Sequence, residues 1–75
     1  MTESGSRLTT EAQVLYAEWE GIVAEREVAK NRAPWCEAHG DPMRAHQYRN
    51  QIALFDRLLA GLRRQFARIA AEEAT

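Results

Sequence analysis

The sequence predicts an all-α fold, an antiparallel two-helix hairpin with helices over about residues 10–31 and 42–72. Apolar residues recur at spacings of three and four along both segments, which is the pattern of a helix with one apolar face. Gly40, Asp41 and Pro42 stand between the two segments, and these residue types favour a turn. A chain of 75 residues forms at most one small core, and oligomerisation commonly supplies the burial that such a core lacks. Hairpins of this kind are therefore expected to pair into a four-helix bundle or a larger helical oligomer.

The first helix is expected to follow a short flexible tail. Residues 1–8 lack periodicity and are assigned to that tail, which leaves residues 9–75 as a single helical-hairpin domain. Thr10 and Gln13 have the spacing of a capping box, in which each side chain bonds to a backbone N–H at the start of a helix. The first helix is therefore predicted to begin at about residue 10.

The apolar seam of the first helix is shorter than that of the second. Arg26 is expected to interrupt it, and residues 32–41, which contain Pro34 and Gly40, are predicted to form a loop. The seam residues are Leu8, Ala12, Leu15, Trp19 and Ile22, with Tyr16 and Val23 beside them.

The second helix has the stronger pattern. Asp41 is a good N-cap, and Pro42 stands at the first helical position, where the missing N–H of proline costs nothing. The apolar residues then keep a 3.5-residue period over more than three heptads, which is the period of a coiled coil. They are Ala45, Tyr48, Ile52, Phe55, Leu59, Leu62, Phe66 and Ile69, and Leu54 and Leu58 widen the stripe.

The two predicted helices differ in length, which favours self-association. At about 1.5 Å per residue they span roughly 33 Å and roughly 46 Å, so Phe66 and Ile69 are expected to overhang and to face water in a monomer. A second chain would cover them, and we predict a homo-oligomer, either a dimer or a ring. An extended monomer with a loose end is the alternative. The predicted interface consists of Leu15, Trp19, Ile22, Tyr48, Ile52, Phe55, Leu58, Leu59, Leu62, Phe66 and Ile69.

Charge is divided between the two helices. Residues 10–31 carry a net charge of −3 and residues 43–69 a net charge of +5, so the helices attract each other. Arg57, Arg64 and Arg68 lie away from the seam and are candidates for contact with nucleic-acid phosphates. The whole chain has a net charge of −1 and no aromatic residues stand among these arginines, so nucleic-acid binding is the lesser alternative.

The segment between the helices holds the residues that suggest metal chemistry. Cys36 and His39 have a Cys-x-x-His spacing that can bind zinc, and His46 is a candidate third ligand, with Glu37 or Asp41 as a fourth. Structural zinc sites normally use two close ligand pairs, and only one is evident, so no cofactor is expected and zinc is the alternative. The sequence offers no orienting group for a Cys–His nucleophile, and we do not expect an enzyme.

The order of these features resembles the helical hairpin of phage terminase small subunits. The resemblance rests on Leu8-Thr-Thr-Glu-Ala, on the aromatic first helix, on a loop ending Gly40-Asp41-Pro42, and on residues 49–62, Arg-Asn-Gln-Ile-Ala-Leu-Phe-Asp-Arg-Leu-Leu-Ala-Gly-Leu. Terminase small subunits form rings that recognise phage DNA and regulate the packaging motor. The resemblance therefore implies an oligomer that acts on DNA with a large-subunit partner.

Taken together, these patterns predict a non-catalytic oligomerisation or interaction module, such as an assembly protein of a phage or mobile element. One alternative is a small inhibitor or adaptor that docks its second-helix seam onto a host protein, in anti-defence or transcription regulation. Another is a zinc-stabilised regulator. With one cysteine and no run of roughly 18 apolar residues, the chain is expected to be a cytoplasmic protein that does not bind membranes.

Overall fold

The chain forms a hairpin of two long helices. In a computed structural model, which describes residues 3–74 and the side chains of residues 10–74, the helices are α1 (Glu3–Ala38) and α2 (Pro42–Ala74). They pack antiparallel against each other, in a body of 58 × 16 × 11 Å. The predicted all-α hairpin is confirmed.

Helix α1 is longer at both ends than the predicted segment 10–31. Residues 3–8, which the sequence analysis assigned to a tail, are helical, and so are residues 32–38, which it assigned to a loop. Pro34 lies inside the helix and cannot donate a hydrogen bond to the Lys30 carbonyl, a change that usually costs ~3 kcal/mol. Ala33 and Cys36 are buried against α2 on either side of it, and this packing keeps the last turns helical.

The turn between the helices is short and has a defined hydrogen-bond pattern. Gly40 has a φ of +77°, a left-handed conformation that glycine adopts at low cost. The Asp41 N–H donates to the Cys36 carbonyl at 2.8 Å, and the Gly40 N–H donates to the Glu37 carbonyl at 3.3 Å. These two bonds form a Schellman motif, which ends α1.

The start of α2 agrees with the prediction. The Arg44 backbone N–H donates to Oδ1 of Asp41 at 3.1 Å, which identifies Asp41 as the N-cap, and Pro42 is the first helical residue. The same three residues, Gly40, Asp41 and Pro42, thus end one helix and begin the next.

The predicted seam of α2 is the face that packs against α1. Ala45, Leu59, Leu62 and Ile69 are buried, and the remaining seam residues are half-buried. The seam of α1 runs farther than predicted, because Arg26 does not interrupt it: its Nε donates to Oδ1 of Asp56 at 2.7 Å. Over residues 10–38 the α1 seam is Ala12, Leu15, Trp19, Ile22, Arg26, Ala29, Ala33 and Cys36, at alternating spacings of three and four, and the side chain of the predicted seam residue Leu8 lies outside the described residues.

The predicted overhang of α2 is wrong. Because α1 has 36 residues and α2 has 33, their lengths match and the far end of α2 is covered. Ile69 is only 4% exposed, and the Phe66 ring meets the edge of the Trp19 ring at a centroid distance of 6.3 Å. Phe66 and Ile69 therefore do not need a second chain to cover them, and any self-association must use other surfaces.

Candidate protein interaction surface

Helix α1 carries a second series of residues at spacings of three and four, on the side opposite to α2. All of them are exposed, including Val14 (54%), Val28 (51%) and Trp35 (60%). Since this series and the seam lie roughly half a turn apart, α1 presents a helix-packing pattern on two opposite sides. We call this series the outer stripe; it consists of Val14, Ala17, Gly21, Ala24 and Val28, and of Trp35, which follows seven residues after Val28, beyond the polar Asn31.

The middle of the outer stripe is small and open. Gly21 lies between Ala17 and Ala24, and a Cβ added to Gly21 would meet nothing within 4 Å. Glycine inside a helix costs about 1 kcal/mol relative to alanine, so its position on an exposed face weakens the isolated hairpin. Because Gly21 has no side chain, the surface between Val14 and Val28 is low, and large side chains of another helix can pack there.

Acidic residues border the outer stripe on both sides. Glu18 and Glu25 lie along one border, Glu20 and Glu27 along the other, and all four are exposed. Glu11 continues the first border and lies 3.9 Å from Nη2 of Arg68. From Val14 to Val28 the stripe is therefore an apolar surface with acidic borders, which attracts a positively charged partner, whereas the exposed Arg32 lies beside Trp35.

Helix α2 also leaves apolar residues uncovered. Leu54 is 53% exposed and Leu58 is 47% exposed, although both were predicted to widen the seam. Together with Gly61 they form a group on one side of α2 that we call the α2 patch. Arg57 and Arg64 lie along its outer border and are exposed, and Nη2 of Arg64 is 3.8 Å from the position that a Cβ on Gly61 would take.

The residues predicted as an oligomer interface lie almost entirely inside the hairpin. Leu15, Leu62 and Ile69 form a buried cluster, and Trp19, Ile22 and Phe66 pack against it. Tyr48, Ile52, Phe55 and Leu59 continue the same seam towards the turn. Among the predicted interface residues, Leu58 is the one exposed on the outside. Sequence reasoning missed the outer stripe, although its regular spacing was a usable signal.

The three arginines proposed for nucleic-acid contact have different surroundings. Arg57 and Arg64 are exposed on the outside of α2. Arg68 lies within 3.9 Å of both Glu11 and Glu72, which partly neutralise it. Phosphate contact through these residues stays a prediction.

The candidate zinc ligands are not brought together. Cys36 is buried in the seam, whereas the His39 ring stacks on Trp35 at 4.0 Å and its Nδ1 lies 2.7 Å from the Trp35 carbonyl oxygen. His46 is exposed on α2. Over the described residues, no group of three or more His, Cys, Asp or Glu side chains is arranged to hold a metal ion. The helical course of residues 32–38 is the reason, because it directs Cys36 into the seam.

An ion pair joins the two helices near the turn. Nη1 of Arg49 lies 2.5 Å from Oε1 of Glu37, and both side chains are about half exposed. The hydrogen bond from Arg49 lowers the pKa of Glu37, and the same bond raises the pKa of Arg49. This pair joins α1 and α2 on the side of the hairpin away from the α2 patch.

Comparison of the chain with protein-family models, with curated proteins and with solved structures finds no match in any of the three. Within residues 3–74, neither helix contains a stretch long and apolar enough to cross a membrane. The function must therefore be argued from the surfaces of the hairpin.

Proposed function

We propose that this chain is a non-catalytic helical interaction module that associates with further copies of itself through surfaces outside its seam. The outer stripe carries the proposal. It has the period of a helix-packing face, yet its residues are exposed, and contiguous exposed apolar residues commonly mark a site of protein interaction. Its glycine and alanines suit the close approach of another helix.

The surroundings of the reactive side chains also favour binding over catalysis. The Cys36 thiol is buried in the seam, and Nδ1 of His39 is within hydrogen-bond distance of a backbone carbonyl. A nucleophile and its base need direct contact and access to a substrate. Cys36 lacks that access, and the ring of the exposed His39 stacks on Trp35.

We further propose an assembly role in a phage or mobile element, in the cytoplasm of the host cell. This step rests on the resemblance to terminase small subunits, which is carried by features of both helices and of the segment that ends at Pro42, and DNA and a large subunit are the implied partners. The rival adaptor would have to bind through the outer stripe, because the second-helix seam is already packed against α1.

Light scattering coupled to size exclusion, over a series of concentrations, tests the proposal. The wild-type chain should give a mass that rises above the 8.6 kDa of one copy. Val28→Glu should return it to a monomer, since it places a charge in the outer stripe. Val23→Glu is the matched control, because Val23 is an exposed valine of α1 that lies outside the stripe.

A wild-type chain that stays monomeric at every concentration would refute self-association. Equal effects of Val28→Glu and Val23→Glu would instead show that the outer stripe is not the surface involved. Circular dichroism of both variants checks that the hairpin stays folded.

A further inference from the structure

We infer that copies of this chain associate head to tail, with the outer stripe of one copy bound to the α2 patch of the next. The inference rests on the proposed function and adds the two surfaces and their pairing. Three observations support it: the charge along the stripe, the charge along the patch, and the different directions in which the two surfaces face.

Two outer stripes do not suit each other. Glu18 and Glu25 on one border and Glu20 and Glu27 on the other would meet glutamates of a second stripe, whether the two α1 helices ran parallel or antiparallel. Like charges across a helix interface oppose association and help to exclude a wrong pairing. The occupant of the stripe must therefore be an apolar surface bordered by positive charge.

The α2 patch has that character. Leu54 and Leu58 supply exposed apolar area, and Arg57 and Arg64 border it. The two helices are also complementary in net charge. Residues 10–38 hold six acidic and three basic residues, and residues 42–74 hold six basic and three acidic ones. The two leucines can pack into the depression at Gly21, between Val14 and Val28, while the arginines face the glutamates.

The directions of the two surfaces determine the type of assembly. The outer stripe faces away from α2, and the α2 patch lies on one side of the hairpin, so a chain cannot join its own stripe to its own patch. Each copy offers one stripe and one patch, which is a heterologous interface. Such an interface adds copies one after another and gives either a closed ring or an open filament.

Complementation between two disabled variants tests this pairing. The first is the double variant Val14→Glu/Val28→Glu, which disables the stripe. The second is the double variant Leu54→Glu/Leu58→Glu, which disables the patch. All four side chains are about half exposed, so both variants are expected to keep the hairpin, as circular dichroism will check. Each variant alone should be monomeric, with a dissociation constant raised at least about 100-fold. An equimolar mixture should form a heterodimer of twice the chain mass that grows no further, because its two remaining surfaces are disabled.

Three results would overturn the inference, and they can be told apart. If the wild-type chain associates but the mixture stays monomeric, the pairing is wrong while self-association stands. If the patch variant associates as well as the wild type, the stripe binds another surface. If the wild-type chain is monomeric, self-association fails and the pairing with it, and binding of an arginine-rich foreign helix becomes the better account of the stripe.

A charge-reversal pair separates electrostatic pairing from simple apolar contact. The double variant Glu18→Arg/Glu25→Arg should associate with itself about tenfold or more weakly than the wild type, because its new arginines would face the arginines of the α2 patch. Two further variants then test recovery. The first combines Glu18→Arg and Glu25→Arg with a disabled patch, and the second combines Arg57→Glu and Arg64→Glu with a disabled stripe. A mixture of the two should form the heterodimer again. Failure to recover it would refute the contact between these glutamates and arginines.

Discussion

The two ends of the hairpin are held together by side chains of different size. Far from the turn, Trp19 meets Phe66 edge-on and Leu62 is buried beside them. Near the turn, the contact is made by small residues, among them Ala33 and Ala45, both buried. Large side chains stabilise by the apolar area they remove from water, at about 25 cal/mol per Å². Small ones allow two backbones to lie close together, so the far end should be sensitive to added charge and the turn end to added volume.

The largest effect is expected at the far end. Leu62→Asp places a carboxylate with no partner in the buried cluster, and we expect it to lower the free energy of unfolding by at least about 3 kcal/mol. Urea denaturation of dilute protein measures this. Leu54→Asp is the control, because Leu54 is half exposed and its replacement should change stability by less than about 1 kcal/mol. Equal losses in the two variants would contradict the assignment of the seam.

At the turn end, Ala33→Leu should destabilise by about 1–3 kcal/mol, because the added volume has to separate two closely packed backbones. Ala60→Leu adds the same volume on the exposed side of α2, outside both the outer stripe and the α2 patch, and should be nearly neutral. Thermal denaturation of both variants, followed by circular dichroism, makes the comparison. A neutral Ala33→Leu would mean that the last turns of α1 do not pack against α2 as described.

A smaller effect is expected at the turn itself. Asp41→Ala removes the acceptor for the Arg44 N–H and should cost about 1 kcal/mol. Asp41→Asn keeps an oxygen in the same place and should restore most of the loss. Urea denaturation of the two variants distinguishes capping from the longer ion pair that Asp41 makes with Arg44 at 3.7 Å. If the asparagine variant were as unstable as the alanine variant, charge rather than capping would explain the effect.

The smallest effect is expected for the exposed pair of Glu37 and Arg49, and it depends on pH. The folded-state pKa of Glu37 lies below the ordinary value of 4.5, so the pair stabilises the hairpin above that pH. The contribution is lost as the pH falls through the lowered pKa. Melting temperatures of the wild type and of Glu37→Gln should therefore differ slightly at pH 7 and converge in acid. A difference that persists in acid would show that the carboxylate charge is not its cause.

The far end of the hairpin and the start of α2 could be predicted from the sequence, and the turn end could not. Phe66, Leu62 and their seam partners are large and apolar, and an Asp-Pro pair is a strong local signal for a helix start. The buried Ala29 and Ala33 have no such signal, because alanine is as common on helix surfaces as in close-packed contacts. Pro34 predicts a loop because proline removes a backbone hydrogen bond within its own helix. The packing of Ala33 and Cys36 against α2, which keeps the segment helical, involves residues far away in the sequence and leaves no local signal.

The outer stripe was missed for a related reason. Ala17, Gly21 and Ala24 are small, and a seam is usually recognised by its large residues. Once α1 is seen to continue to Ala38, Trp35 lies on the same face as Val14 and Val28, with the polar Asn31 between Val28 and Trp35.

Cys36 gives the turn end a chemical reporter of its own. It is the single cysteine of the chain, it is buried in the seam, and thiol reagents reach a buried sulfur only when the surrounding structure opens. The rate at which a reagent modifies Cys36 in the native protein therefore measures how often the last turns of α1 separate from α2. Circular dichroism follows the helix content of the whole hairpin. Comparing the two would show whether the small-residue end opens separately or only when the entire hairpin unfolds.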